Sequence, residues 1–236
     1  MKRQTLTLVS ALLLLLVLPA QAEQPVPQIR ATGEADASVA PDMAILQLTV
    51  TRQAETARAA LDANSKAMAE VIAAMREGGV AERDLQTSGF SIQPRYVYPK
   101  PRNEQPPKIV GYTVRNSLSV RVRDLDDLGA LLDRSVTLGV NEGGGVRFTN
   151  ADPSATLAKA RAAAVRDAMA RAKTMADAAG VKLGDVLEIS EQSFDPGPRP
   201  MYNARAMAME AADSVPIQAG ENTYRVVVQA SFAIEQ

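Results

Sequence analysis

"GVKLGDVLEISEQ", residues Gly180 to Gln192, is matched earlier in the chain by "GVAERDLQTSGFS", residues Gly79 to Ser91. Each begins with Gly-Val after a long alanine-rich amphipathic segment. Each then places Asp and an apolar residue at the same spacing, Asp84-Leu85 in one and Asp185-Val186 in the other. A tyrosine-led alternating stretch follows both. In the first, Tyr112, Val114, Leu118, Val120 and Val122 share one face, and Thr113, Arg115, Ser117, Ser119 and Arg121 the other. In the second, Tyr224, Val226, Val228, Ala230, Phe232 and Ile234 repeat the apolar face. A period of two with one polar face marks a half-buried antiparallel strand. The chain reads as a diverged repeat of helix, strand and strand, so the predicted fold class is α+β. The expected architecture is an antiparallel sheet packed against two long amphipathic helices, with one shorter helix added.

The helices are read from their apolar stripes. Leu61, Met68, Val71, Ile72 and Met75 form one, and Leu157, Ala164, Val165, Ala168, Ala172 and Met175 the other, both at helical spacing. Asp152-Pro153 supplies an N-cap and a first-turn proline for the later helix, and Gly180 ends it. A shorter helix is expected from Asp124, with Leu125, Leu128, Leu131 and Leu132 inward and Gly139 as its stop. Before the repeat, Ile29 to Val50 reads as two strands turning at Ala40-Pro41-Asp42.

"NEGGGVRF", Asn141 to Phe148, invites a phosphate-cradle reading. Such a cradle places its glycines after a strand and before a helix, whose positive N-terminus holds the anion. Here Gly143, Gly144 and Gly145 follow a helix and lead into a strand over Val146 to Thr149, and no P-loop lysine follows. The glycines are expected to form a turn.

At the start of the chain, Lys2 and Arg3 precede an apolar run from Ala11 to Leu18, and Ala20-Gln21-Ala22 has the small residues of a cleavage site. Residues 1–22 therefore read as a cleaved export signal, with the mature chain starting at Glu23 and no membrane span retained. Loss of Lys2 and Arg3 takes the basic count from 26 to 24 against 27 acidic residues, so the net charge moves from −1 to −3. A mildly acidic, mixed chain has no electrostatic footprint for nucleic acid.

The chain contains no histidine and no cysteine. That excludes a Ser-His-Asp triad, a cysteine nucleophile and any zinc site bearing either ligand. Asp124, Asp126 and Asp127 lack the alternating oxygens and terminal glutamate of a calcium loop, and acids at a helix start are favoured by its dipole. Glu188 and Glu191, three apart on a strand, point to opposite faces and do not form a carboxylate pair. No catalytic residue and no cofactor site is expected; the alternative, an enzyme, would have only scattered carboxylates to work with.

Two proline-rich stretches remain. Tyr98 to Lys108 is expected to be a hairpin loop, and Asp195 to Glu221 a longer insertion before the last strand. Within that insertion Met201, Tyr202, Met207, Met209, Val215 and Ile217 are apolar enough to seek burial against another copy of the chain. Met201, Met207 and Met209 also form the chain's one soft-ligand cluster, suited to Cu(I), to sulfoxide formation, or simply to packing at an interface.

Three blocks, "TGEADASVAPDMAILQLTV" (Thr32–Val50), "IVGYTVRNSLSVRVRDLDDLGALLD" (Ile109–Asp133) and "ARAAAVRDAMARAKTMADAAGVKLGDVLEISE" (Ala160–Glu191), resemble in order the SIMPL-domain family. That family includes the periplasmic immunogen and oxidative-stress defence proteins of Gram-negative bacteria. The resemblance covers about Ile29 to Gln236, so the organisation reads as a signal at 1–22 and one SIMPL-like domain at 23–236, with an insertion at about 195–221. It implies a periplasmic α+β protein that contributes to envelope homeostasis and oxidative-stress defence. It also implies assembly with itself, into ring-like homo-oligomers, and no transferable active site.

Overall fold

The computed structural model describes residues 27–98, 106–192, 199–201, 215 and 217–235. The order is β1 (Gln28–Val39), β2 (Met43–Ala54), α1 (Ala57–Glu77), β3 (Leu85–Val97), β4 (Lys108–Val122), α2 (Leu128–Thr137), β5 (Glu142–Thr149), α3 (Ser154–Ala179), β6 (Lys182–Gln192), β7 (Arg199–Met201) and β8 (Glu221–Glu235). The class is α+β, and the antiparallel strands are divided between two sheets. One runs β1-β8-β6, with β7 also on β8; the other runs β3-β4-β2-β5.

The repeat is visible in this topology. In one half α1 lies on β2 and β4, with β3 at the edge; in the other α3 lies on β1 and β8, with β6 at the edge. The second half is divided in sequence, because its strand β1 is contributed by the start of the chain and the whole first half intervenes before α3. Hence β1 and β2, adjacent in sequence across Ala40-Pro41-Asp42, pair in different sheets.

Each half has its own core. In the first, Ala44, Leu46, Leu48 and Val50 of β2 and Leu118, Val120 and Val122 of β4 meet Met68, Val71 and Met75 of α1. Thr56 caps α1 by accepting the Ala59 N–H through Oγ1 at 3.2 Å. In the second half α3 buries Ala160, Ala164, Ala168, Ala172 and Ala176, a stripe of methyl groups four residues apart. These pack on Ala31, Ala37, Val226, Val228, Ala230 and Phe232. The small stripe allows close approach: a Cβ at Gly33 of β1 would lie 2.1 Å from the Ala164 carbonyl oxygen and 2.3 Å from the Ala168 nitrogen.

Four local expectations are corrected. Met175 is 42% exposed, because the buried stripe follows Ala172 and Ala176, and a neighbouring residue is turned about 100° away from its predecessor. The shorter helix starts at Leu128 rather than Asp124; the Asp124 carboxylate accepts the Asp126 N–H at 3.1 Å, holding a turn ahead of the helix. Gly143, Gly144 and Gly145 lie within β5, where the register against β2 slips between Leu46 and Leu48. They form a bulge, with Gly145 at φ 89, and a Cβ at Gly144 would meet the Gln47 Cβ at 2.7 Å. The reversal before β5 uses Gly139 at φ 113. At the start of α3 the helix is assigned from Ser154, and Asp152 accepts its N–H at 2.9 Å, so the expected cap residue acts one position further out.

The halves are joined by a buried polar knot. Asn150, between β5 and α3, donates through Nδ2 to the Ala40 carbonyl at 2.7 Å. Its Oδ1 accepts from Asn222 Nδ2 at 2.8 Å and from the Tyr224 hydroxyl at 3.0 Å. Burial, with the Asp42 carboxylate nearby, raises the Tyr224 pKa, so the phenol stays protonated and available as this donor.

Candidate assembly surface

The sequence-derived candidates for chemistry do not converge. Glu188 lies opposite Ser231, whereas Glu191 lies opposite Val228 on the helix-covered side and accepts a two-point ion pair from Arg161 of α3. That pairing lowers the Glu191 pKa. A polar cleft of about 450 Å³ on the outer face of β1, β8 and β6 is lined by Arg30, Thr32, Glu188, Ser190, Gln229 and Ser231, besides Ala31 and Ala230. Among the described residues Glu188 is its one carboxylate, whereas glycoside chemistry uses a pair of acids. Among the described residues no group of three or more carboxylates is placed to hold a metal ion.

Of the candidate contact residues in the insertion, Tyr202, Met207 and Met209 lie outside the described residues, as do the proposed signal and residues 99–105 of the β3–β4 connection. Met201 is the last residue of β7, opposite Glu221. Val215 is 47% exposed. Ile217 is partly buried and packs on the first-half core of its own chain.

Among the described residues the buried carboxylate is Asp84, 4% exposed, at the entry to β3. Arg123 donates to both its oxygens, Nε at 2.9 Å and Nη2 at 3.0 Å. The hydrogen-bonded guanidinium holds the Asp84 pKa below its ordinary 3.8. A depressed folded-state pKa gives stability that is complete above the unfolded carboxylate pKa near 4 and disappears as pH falls through the lower folded value. Asp84→Asn is therefore predicted to cost about 1–2 kcal/mol at pH 7, after allowance for the half-exposed arginine. The difference from the unaltered chain should be smaller at pH 3 than at pH 7. Urea melts at the two pH values check this, and an equal deficit at both would exclude the ion pair as its cause.

The surface that stands out is the outer part of the β3–β4 hairpin. Strand β2 stops pairing with β4 at Ala54–Tyr112, but β3 and β4 continue as far as Val97–Lys108. The ribbon thus runs about four residues, roughly 14 Å, past the sheet. It carries Tyr96 at 47% exposure, Val97 at 55%, Tyr98 at 73%, Ile109 at 50% and Val110 at 47%. Tyr96 and Tyr98 have ring centroids 6.4 Å apart, and Tyr96 lies opposite Ile109. The apolar strip continues back along β3 through Ile92 and Phe90, opposite Val114 and Asn116. Val114 is fully buried, but α1 lies over β2 and β4 and leaves edge strand β3 largely uncovered. A two-stranded ribbon with apolar residues on both faces is marginal when isolated in water, and long apolar edges are sites of strand addition or association.

The other half repeats this pattern. Edge strand β6 exposes Val186, Leu187 and Ile189, with Val186 and Ile189 opposite the helix-facing residues Phe232 and Ala230. Alternation in the sequence marks the buried faces and carries no mark of these residues. The available signal is the loss of alternation in Tyr96-Val97-Tyr98 and Ile109-Val110, where apolar residues occupy both faces.

Fold and surface together define an α+β protein of two helix-on-sheet halves, each with an exposed apolar edge. The chain belongs to the SIMPL family, described as a protein of unknown function (DUF541), which it matches over residues 29–232. It is 52% identical over 212 residues to the 26 kDa periplasmic immunogenic protein of Brucella melitensis, covering 88% of this chain and 85% of that protein. It is 29% identical over 203 residues to the uncharacterized protein YggE of Escherichia coli K12, covering 86% of this chain and 79% of that one.

Proposed function

We propose that this chain is a non-catalytic, homo-oligomeric periplasmic protein that contributes to envelope homeostasis and oxidative-stress defence. The observation that carries the assembly part is the apolar β3–β4 ribbon projecting beyond its sheet. Its occupant is another copy, because the same chain offers a second apolar edge of like topology at β6, and a head-to-tail contact between unlike edges closes into a ring when the rotation allows. The compartment is supported by the export signal read in residues 1–22 and by a relative whose name places it in the periplasm. Among the described residues no helix is long and apolar enough to cross a membrane.

The test substitutes the ribbon without touching either core. Tyr96→Lys with Ile109→Lys alters two exposed residues, so each half should keep its stability within about 0.5 kcal/mol per substitution. The expected result is an unchanged far-ultraviolet circular dichroism spectrum with at least a roughly twofold drop in mass by light scattering, since charge is costly in the centre of an interface. An unchanged mass would place the interface elsewhere.

A further inference from the structure

Among the residues whose burial is described, the methionines divide sharply by position. Met43, Met68 and Met75 are 8%, 4% and 0% exposed and belong to the packed interior, whereas Met169 and Met175 of α3 are 47% and 42% exposed. The exposed pair lies off the alanine stripe that α3 buries, so the packing of this helix does not depend on either thioether. The chain also lacks cysteine, tryptophan and histidine, so thioethers are its principal rapidly oxidised side chains, and their sulfoxides are reversible products.

We infer that Met169 and Met175 are sacrificial oxidation sites for hypohalous acids, placed where sulfoxide formation leaves the fold intact. The inference gives a chemistry to the oxidative-stress part of the reading above and rests on it for its physiological setting. In the step, a thioether sulfur gives an electron pair to the chlorine of hypochlorous acid. The O–Cl bond breaks, water or hydroxide supplies the oxygen that remains on sulfur, and chloride leaves. The net change is thioether plus HOCl to sulfoxide plus H⁺ and Cl⁻, with sulfur oxidised and chlorine reduced by two electrons. At Met68 or Met75 the same product would put a polar sulfoxide into the first-half core.

Peptide mass mapping of the full mature protein during stepwise addition of substoichiometric hypochlorite tests the inference. Met169 and Met175 should reach half-oxidation at least about tenfold earlier in the titration than Met43, Met68 and Met75, with the melting temperature unchanged at that stage. The Met169→Leu, Met175→Leu protein should spare an added thioether reporter less than the unaltered chain does. Oxidation of the α3 pair no earlier than the buried three, or unfolding on oxidation of the pair, would overturn the inference. So would shielding of the pair in the assembled protein. The predicted order in a protein that runs as a monomer would support this inference while contradicting the assembly reading.

Discussion

Gly33→Ala should cost about 3–5 kcal/mol, far more than one methyl group on a strand ordinarily costs. The added Cβ would lie 2.1 Å from the Ala164 carbonyl oxygen, 2.3 Å from the Ala168 nitrogen and 2.8 Å from the Ala168 Cβ. Two of these are backbone atoms, so no rotamer change relieves the overlap. Helix α3 must lift from β1, and the alanine stripe has no longer side chains to fill the gap that opens. The expected result is a fall of roughly 10 °C in melting temperature, with greater loss of hydrogen-exchange protection in β1, α3 and β8 than in β2 and β4. Gly89→Ala is the control. Its Cβ would meet Ser117 at an ordinary 3.8 Å, and a change within about 0.5 kcal/mol is expected. Equal effects at the two glycines would mean that α3 does not approach β1 as described.

Asn150→Ala should be the second severe substitution, at about 3 kcal/mol. Truncation removes three hydrogen bonds at once and leaves the Asn222 amide, the Tyr224 hydroxyl and the Ala40 carbonyl without this partner in a buried site. Tyr224→Phe removes only one donor from the same oxygen, and about 1 kcal/mol is expected. Because the knot joins the β1–β2 turn, the β5–α3 connection and the start of β8, its loss should uncouple the halves. Denaturant unfolding of Asn150→Ala is expected to broaden or split into two transitions. A single sharp transition at the original midpoint would show that the knot does not hold the halves together.

The helices and inner strands were legible because burial imposes a period. Val226, Val228, Ala230 and Phe232 are inward as the alternation of β8 predicts, and Met68, Val71 and Met75 lie on the buried face of α1. The division into two sheets was not legible, since nothing in Ala40-Pro41-Asp42 states that the strands on either side pair with β8 and β4 respectively. Asn150 was equally silent, because its three partners are distant in sequence apart from their spatial convergence. The α3 stripe was only partly readable: its buried residues are alanines, and a helix rich in alanine on all sides gives little contrast between faces. The exposed apolar edges escaped for the opposite reason. Phe90 and Ile92 follow the pattern of core residues, and only the position of α1 over β2 and β4 shows that they stay exposed.

If the apolar ribbon finds its cover in another copy of the chain, the mass of the mature protein in solution shows it, measured by size-exclusion chromatography with light scattering at micromolar concentration. The expected mass is that of two or more chains, each 25.1 kDa before any leader is removed, held across a tenfold dilution from about 10 µM. A single species at or below 25.1 kDa over that range would contradict it.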